Sequence, residues 1–145
     1  MSGALSRLHA TLLRTMWNEL GVVRNREEIA AGLAKLDQYG AELREIGVAD
    51  GDRAFNPTWH DWLNLESLIE VSKVIGVAAM TRENSRGAHF RQDYPEPGDL
   101  ASSAYTVVHR RDGQLQAGQK PVAFTIVRPG STLVRDETAE QRATA

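Results

Sequence analysis

The chain has 145 residues, a formal net charge of −2 and no cysteine. That length predicts one domain with a real core, the charge excludes a basic nucleic-acid face, and the absent cysteine excludes disulfides, thiolate nucleophiles and cysteine–zinc sites, as fits a cytoplasmic protein. Met1–Leu20 mixes apolar with polar residues, unlike a secretory leader, and no stretch reaches the roughly 18 continuous apolar residues of a membrane span, so no direct membrane insertion is expected.

Leu5, Leu8, Leu12, Leu13, Met16 and Leu20 recur at three- and four-residue steps, which puts them on one face of a first helix over about Leu5–Leu20, with Gly21 as its stop. Trp17 borders that stripe and is expected to pack in the core rather than meet a partner. Asn25 with Glu28 three residues later is an amino-terminal cap signal, and Ile29, Leu33, Leu36 and Leu43 carry a second helix over Asn25–Ile46. Asn56-Pro57 offers a cap and a first-turn proline for a third helix, with Asn64 as the alternative start. From Val71 to Met80 the apolar residues go nearly all round, which predicts a central helix covered on most sides, and Gly76 predicts close backbone packing there. Ala104–Arg110 and Pro121–Val127 are rich in strand-forming residues, and Asp112-Gly113 supplies a turn between them, although the loop could extend to Gly118. The expected fold is mainly α: an antiparallel three-helix bundle, spectrin-repeat-like, with a carboxy-terminal loop and a small β-hairpin. The domain is expected over residues 1–130, with 131–145 a disordered tail.

The third helix runs into Thr81–Pro95, TRENSRGAHFRQDYP, which holds three arginines, a histidine, an aspartate and a glycine suited to a positive-φ turn. Arg82, Ser85, Arg86, Gly87, Ala88, His89, Arg91, Asp93 and Pro95 fall in register with a signature of the succinate dehydrogenase/fumarate reductase flavoprotein family, which includes L-aspartate oxidase. The chain therefore resembles the carboxy-terminal helical domain of that family over about Leu12–Asp99. Asn84 stands where the family usually has Glu, and Pro97-Gly98-Asp99 replaces an Arg-Asp-Asp run. Met16-Trp17 and Gly21-Val22-Val23-Arg24 also follow the family's order. The resemblance implies FAD in a parent flavoprotein, a flavin-binding domain or subunit as partner and an iron–sulfur subunit nearby. It brings no catalytic residue to this chain, whose 12 glycines include no G-x-G-x-x-G turn for a flavin pyrophosphate.

Arg82, Arg86 and Arg91 have three destinations at this stage: local carboxylates at Glu83, Asp93 and Glu96, carboxylates of a neighbouring domain, or a small anion. His89 reads as a hydrogen-bonded structural residue before it reads as an acid–base partner of Asp93. Trp59 and Trp62 read as core before interface. The four histidines His9, His60, His89 and His109 are too scattered for a zinc site. The expected function is that of a supporting domain of an FAD-dependent oxidoreductase; the alternatives are a stand-alone protein-interaction module and a small enzyme built on His89 and Asp93.

Overall fold

A computed structural model describes residues 3–48 and 51–131. Apart from Ser131, the expected tail lies outside the described residues. Among the described residues, three helices carry the fold, with four short strands beside them.

Helix α1, Gly3–Asn18, buries Leu5, Leu8, Leu12 and Thr15. Helix α2, Arg26–Ile46, begins as its sequence requires: the Asn25 side chain accepts from the Glu28 N–H at 2.9 Å, and Glu27 and Glu28 place negative charge at the positive end of the helix. Helix α3, Pro57–Thr81, starts at the earlier of its two candidate caps, because Asn56 accepts from the Trp59 N–H at 2.8 Å. Its buried positions, Leu65, Ile69, Ser72, Gly76 and Ala79, step by three and four along one face.

The three helices pack pairwise around one core of Leu5, Leu8, Leu12, Leu20, Ile29, Leu36, Leu43, Leu65, Ile69 and Ala79. The Trp62 Nε1–H donates to the Leu43 carbonyl at 2.8 Å, and the Lys73 ammonium meets Asp37 at 2.8 Å, so α2 and α3 are tied at two levels. Lys35 with Glu19, and Thr15 with Tyr39, tie α2 to α1 and the turn beyond it. The expected close approach at Gly76 is present. A Cβ there would lie 2.6 Å from Leu33 Cδ2 and 3.3 Å from Leu20 Cδ2, so hydrogen is the side chain that fits without displacing Leu33.

Two expectations about coverage fail. Trp17 is 83% exposed instead of packed at home, because α1 turns its Leu5/Leu8/Leu12 face inward and Trp17 lies off that face. Helix α3 is not covered on most sides: Leu68, Val71 and Ile75 remain exposed, Val71 by 56%. Two helices and one hairpin cover only part of its circumference.

Strand β1, Val23–Arg24, pairs in parallel with β2, Phe90–Arg91, in the register Val23 to Phe90 and Arg24 to Arg91. The sequence gives no warning of this ladder, since α2 and α3 both intervene between its strands. Strands β3, Ala104–Arg111, and β4, Gln114–Pro121, form the hairpin around Asp112 and Gly113, whose φ angles of 51° and 80° suit a two-residue turn. The second strand was expected at Pro121–Val127 and lies earlier. A two-residue turn makes pairing resume at once, so Gln114–Pro121 pairs despite its polar composition. The hairpin lies against α3, where Arg110 pairs with Glu70.

Candidate functional site: a buried arginine at the end of α3

Arg91 is the largest fully buried side chain among the described residues, at 0% exposure. Its placement begins with backbone. Phe90 N–H donates to Val22 O at 3.0 Å and Gln92 N–H to Arg24 O at 2.9 Å, which fixes β2 beside the turn between α1 and α2. Gly87, at φ 57°, closes a tight turn in which Arg86 and His89 exchange backbone hydrogen bonds of 2.9 and 3.1 Å. Ser85 Oγ accepts from the Arg91 N–H at 2.8 Å and donates to the Tyr94 carbonyl at 2.7 Å, so this nearly covered hydroxyl holds the loop shut.

The Arg91 guanidinium then has two jobs. Nη1 donates to the carbonyls of Ala79, Met80 and Arg82 at 2.9, 3.2 and 3.1 Å, which satisfies acceptors that the end of α3 leaves without intrahelical donors. Nε and Nη2 donate to the two carboxylate oxygens of Asp93 at 2.7 and 2.6 Å, a forked pair. Asp93 Oδ2 also accepts from the Arg26 N–H at 3.2 Å, at the first residue of α2. The Arg91 guanidinium lowers the Asp93 carboxyl to about 2, and the backbone donor of Arg26 acts in the same direction. One residue pair thus joins the end of α3 to the start of α2.

The other arginines of the loop divide. Arg86 donates to the carbonyls of Pro97 and Asp99 at 2.5 and 2.9 Å and to Ser103 Oγ at 2.7 Å, holding the segment that leads into the hairpin. Arg82 donates to the Asn84 side-chain oxygen at 3.2 Å. Glu83 is used by Arg26 at 3.1 Å and by the Tyr94 hydroxyl at 3.1 Å. Within the described residues, therefore, Arg91 has the local carboxylate among its three destinations, and Arg86 has backbone and hydroxyl oxygens that the sequence did not point to.

His89 is nearly covered, and its backbone N–H and carbonyl are bonded to Arg86. Burial lowers its pKa below the ordinary histidine value, and the charges of Arg24 and Arg82 push the same way. No hydrogen bond joins His89 to Asp93 among the described residues; both oxygens of Asp93 are bonded to Arg91. Arg24, which the sequence reading assigned no role, is also nearly covered and donates to the Leu20 carbonyl at 3.3 Å. Its forewarning in the sequence is its place in the Gly21-Val22-Val23-Arg24 segment that follows the family's order.

Trp59 and Trp62 do not join this site. They lie in the first two turns of α3, about 35 Å (Trp59) and about 30 Å (Trp62) along the helix from Arg82 at a rise of about 1.5 Å per residue. Trp62 is packed against the core, whereas Trp59 is half-exposed, its ring tilted against that of His60 at 6.1 Å. Among the described residues there is no cluster of three metal-ligating side chains and no helix long and apolar enough to cross a membrane.

Among the described residues, the junction where a strand runs into a helix does not fit a flavin pyrophosphate. The junction from β1 into α2 is the place where a pyrophosphate would meet helix N–H groups, but Asn25 takes the Glu28 N–H and Asp93 takes that of Arg26. A helix start already bonded to a carboxylate repels a phosphate.

Fold and site together define a mainly helical domain in which an internal arginine closes the end of α3. The sequence pattern described as the fumarate reductase flavoprotein carboxy-terminal family matches residues 9–134, and the chain belongs to that family. It is 30% identical over 127 residues to the fumarate reductase flavoprotein subunit of Mycobacterium tuberculosis, covering 87% of this chain and 22% of that protein. Against the succinate dehydrogenase flavoprotein subunit of Coxiella burnetii it is 34% identical over 108 residues, covering 74% and 18%. Among solved structures, the Mycobacterium smegmatis Sdh1 complex in its apo form matches with a TM-score of 0.68 at 28% identity, over 85% of this chain and 21% of that one. An E. coli quinol fumarate reductase variant shares the fold, with a TM-score of 0.74 at 21% identity over 90% and 23%. The chain spans about a fifth of the length of these relatives.

Proposed function

We propose that this chain serves as the carboxy-terminal helical domain of an FAD-dependent oxidoreductase of the succinate dehydrogenase/fumarate reductase type. In this reading it packs on the flavin-bearing part, supplies no catalytic residue, and acts in the cytoplasm or at the cytoplasmic side of a larger assembly that includes an iron–sulfur subunit. The domain runs over residues 1–130, with its three helices up, down and up as in a spectrin repeat. The Lys73–Asp37 and Trp62–Leu43 contacts support that order for α2 and α3.

The observation that carries the proposal is the uncovered apolar strip on α1 and α3. Leu13 and Trp17 lie one and two turns beyond His9 on α1, and His9 shares a cleft with Asn64, Leu68 and Val71 of α3. Exposed leucine, valine and tryptophan side chains in one strip mark a surface that another protein covers. The composition of the strip, apolar with few charges, suits a permanent interdomain contact.

The test uses the isolated chain and a separately expressed flavin-bearing remainder from the same source. The chain alone should show no flavin absorption and no succinate oxidation, and it should retain the yellow remainder on a column. Leu68→Glu with Val71→Glu should abolish that retention. A stoichiometric flavin spectrum from the chain alone, or retention indifferent to the double substitution, overturns the proposal. Retention of a protein without flavin through the same strip would favour the interaction module.

A further inference from the structure

The loop after α3 and the hairpin enclose a polar cavity of about 190 Å³ between them. Arg82, Asn84 and Arg86 line it from the loop, and Ser102, Thr106 and Gln119 line it from the hairpin and its approach. Thr106 and Gln119 are partners across the β3–β4 ladder, so the hairpin register sets their spacing. Arg82, Asn84, Arg86 and Thr106 are half-buried, while Ser102 and Gln119 are exposed, which opens the cavity to solvent on the hairpin side. A water in the liquid takes about 30 Å³, so the cavity has room for a ligand larger than water.

The loop wall is built without a ligand. Arg86 is fixed by its bonds to the Pro97 and Asp99 carbonyls and to Ser103 Oγ, all uncharged acceptors. Gly98 also lines the cavity, at φ 68°, and a Cβ there would lie 3.7 Å from Arg86 Nη2, so glycine keeps the wall bare beside that nitrogen. Arg82 donates to the Asn84 side-chain oxygen at 3.2 Å and to no carboxylate among the described residues. With its oxygen so used, Asn84 has amide N–H groups to offer another acceptor. Two acidic residues line the cavity as well, and both are engaged. Glu83 pairs with Arg26 at 3.1 Å and accepts from the Tyr94 hydroxyl, and Asp99 accepts from the Ala101 N–H at 2.9 Å. Because Arg26 neutralises Glu83, the guanidinium groups of Arg82 and Arg86 are set against the single carboxylate of Asp99, and the lining has an excess of positive charge.

We infer that this cavity binds one phosphate group, with oxygens toward Arg82 and Arg86 on one side and toward Thr106 and Gln119 on the other. Donors on two opposed walls suit a tetrahedral oxyanion, whose oxygens point in four directions, better than a carboxylate, whose two oxygens lie in one plane. Guanidinium groups supply charge-assisted bonds to such oxygens, and the hydroxyl and amide of the hairpin wall supply neutral ones. Free inorganic phosphate and the phosphoryl end of a larger small molecule share this chemistry. The exposed strip on α1 and α3 takes no part in the site, so the inference stands independently of the proposed docking.

The test records the backbone and side-chain amide NMR signals of the isotope-labelled chain near neutral pH while sodium phosphate replaces sodium chloride at constant ionic strength. Saturable shifts are expected at the Asn84 and Gln119 side-chain amides and at the Thr106 N–H, with half-saturation in the millimolar range. Arg82→Gln should weaken binding about tenfold, the loss expected for one charge-assisted hydrogen bond, and Thr106→Val about threefold. The two residues belong to different elements, so one variant reads the site if the other fails to fold. Shifts that do not saturate, that chloride reproduces, or that survive both substitutions overturn the inference. Sodium acetate binding as tightly as phosphate overturns the choice of a tetrahedral ligand. Methyl phosphate separates the two sources: half-saturation like that of phosphate assigns the site to the phosphoryl end of a larger molecule, and binding of inorganic phosphate alone assigns it to the free ion.

Discussion

Arg91 holds Asp93 through two hydrogen bonds of 2.7 and 2.6 Å while its remaining nitrogen takes three carbonyl oxygens at the end of α3. The guanidinium has no exposed surface, while 28% of the Asp93 side chain is open to solvent. Asp93 extends the link to the Arg26 N–H, and through it the end of one helix is fastened to the start of another.

Arg91→Met is therefore expected to destabilise the domain by about 3–5 kcal/mol, because it strands three carbonyls and one carboxylate at once. Arg91→Lys should recover little, since one ammonium cannot span Asp93 and the α3 carbonyls together. Urea unfolding followed by circular dichroism measures both. A lysine variant as stable as the parent would show that charge, not the fork, holds the helices.

The pH dependence of stability follows from two shifts of opposite origin. Asp93 has a folded value of about 2, below its ordinary 3.8, so the stability it contributes is present above the ordinary value and is lost as pH falls through about 2. His89 is lowered from 6.5, so the unfolded chain binds the extra proton and stability declines as pH falls from that value toward the folded one. Thermal melts between pH 7 and pH 2 should show both declines. Asp93→Asn should flatten the acidic one alone, and His89→Asn the one that begins near neutrality.

Gly76→Ala sets helix propensity against space. Alanine gains up to about 1 kcal/mol in a helix interior, yet its Cβ would come within 2.6 Å of Leu33 Cδ2. Overpacking of this kind costs roughly 1–3 kcal/mol, so a net loss is expected. In a Leu33→Ala background the clash is gone and the same substitution should become stabilising. A double-mutant cycle by chemical denaturation reads the coupling directly.

Trp17 and Trp62 should separate stability from association. Trp62→Phe loses the bond to the Leu43 carbonyl and is expected to cost about 1 kcal/mol. Trp17→Ser removes a side chain that is 83% exposed and should change unfolding by less than about 0.5 kcal/mol. If the proposed strip docks on the flavin-bearing part, Trp17→Ser should weaken that association severalfold, as measured by sedimentation, whereas Trp62→Phe should leave it nearly unchanged.

The sequence by itself determined what depends on neighbours along the chain. Asn25 with Glu28 places a helix start because a cap needs only residues three apart, and Asn56 with Pro57 is one of the two starts that the sequence offers for α3. Asp112-Gly113 placed the hairpin turn for the same reason, and the register of arginines, histidine and glycine after α3 pointed to the family that residues 9–134 match. Tertiary structure decided the rest. The pairing of Val23-Arg24 with Phe90-Arg91 joins segments about two helices apart, and no local pattern encodes it. Once made, that ladder carries Arg91 inward to Ala79, Met80 and Asp93 and leaves Arg24 and His89 each with an unmatched nitrogen. Apolar spacing showed that α3 has hydrophobic residues all round, but only packing showed which face α1, α2 and the hairpin leave open, because coverage is set by the number of neighbours and not by the helix itself.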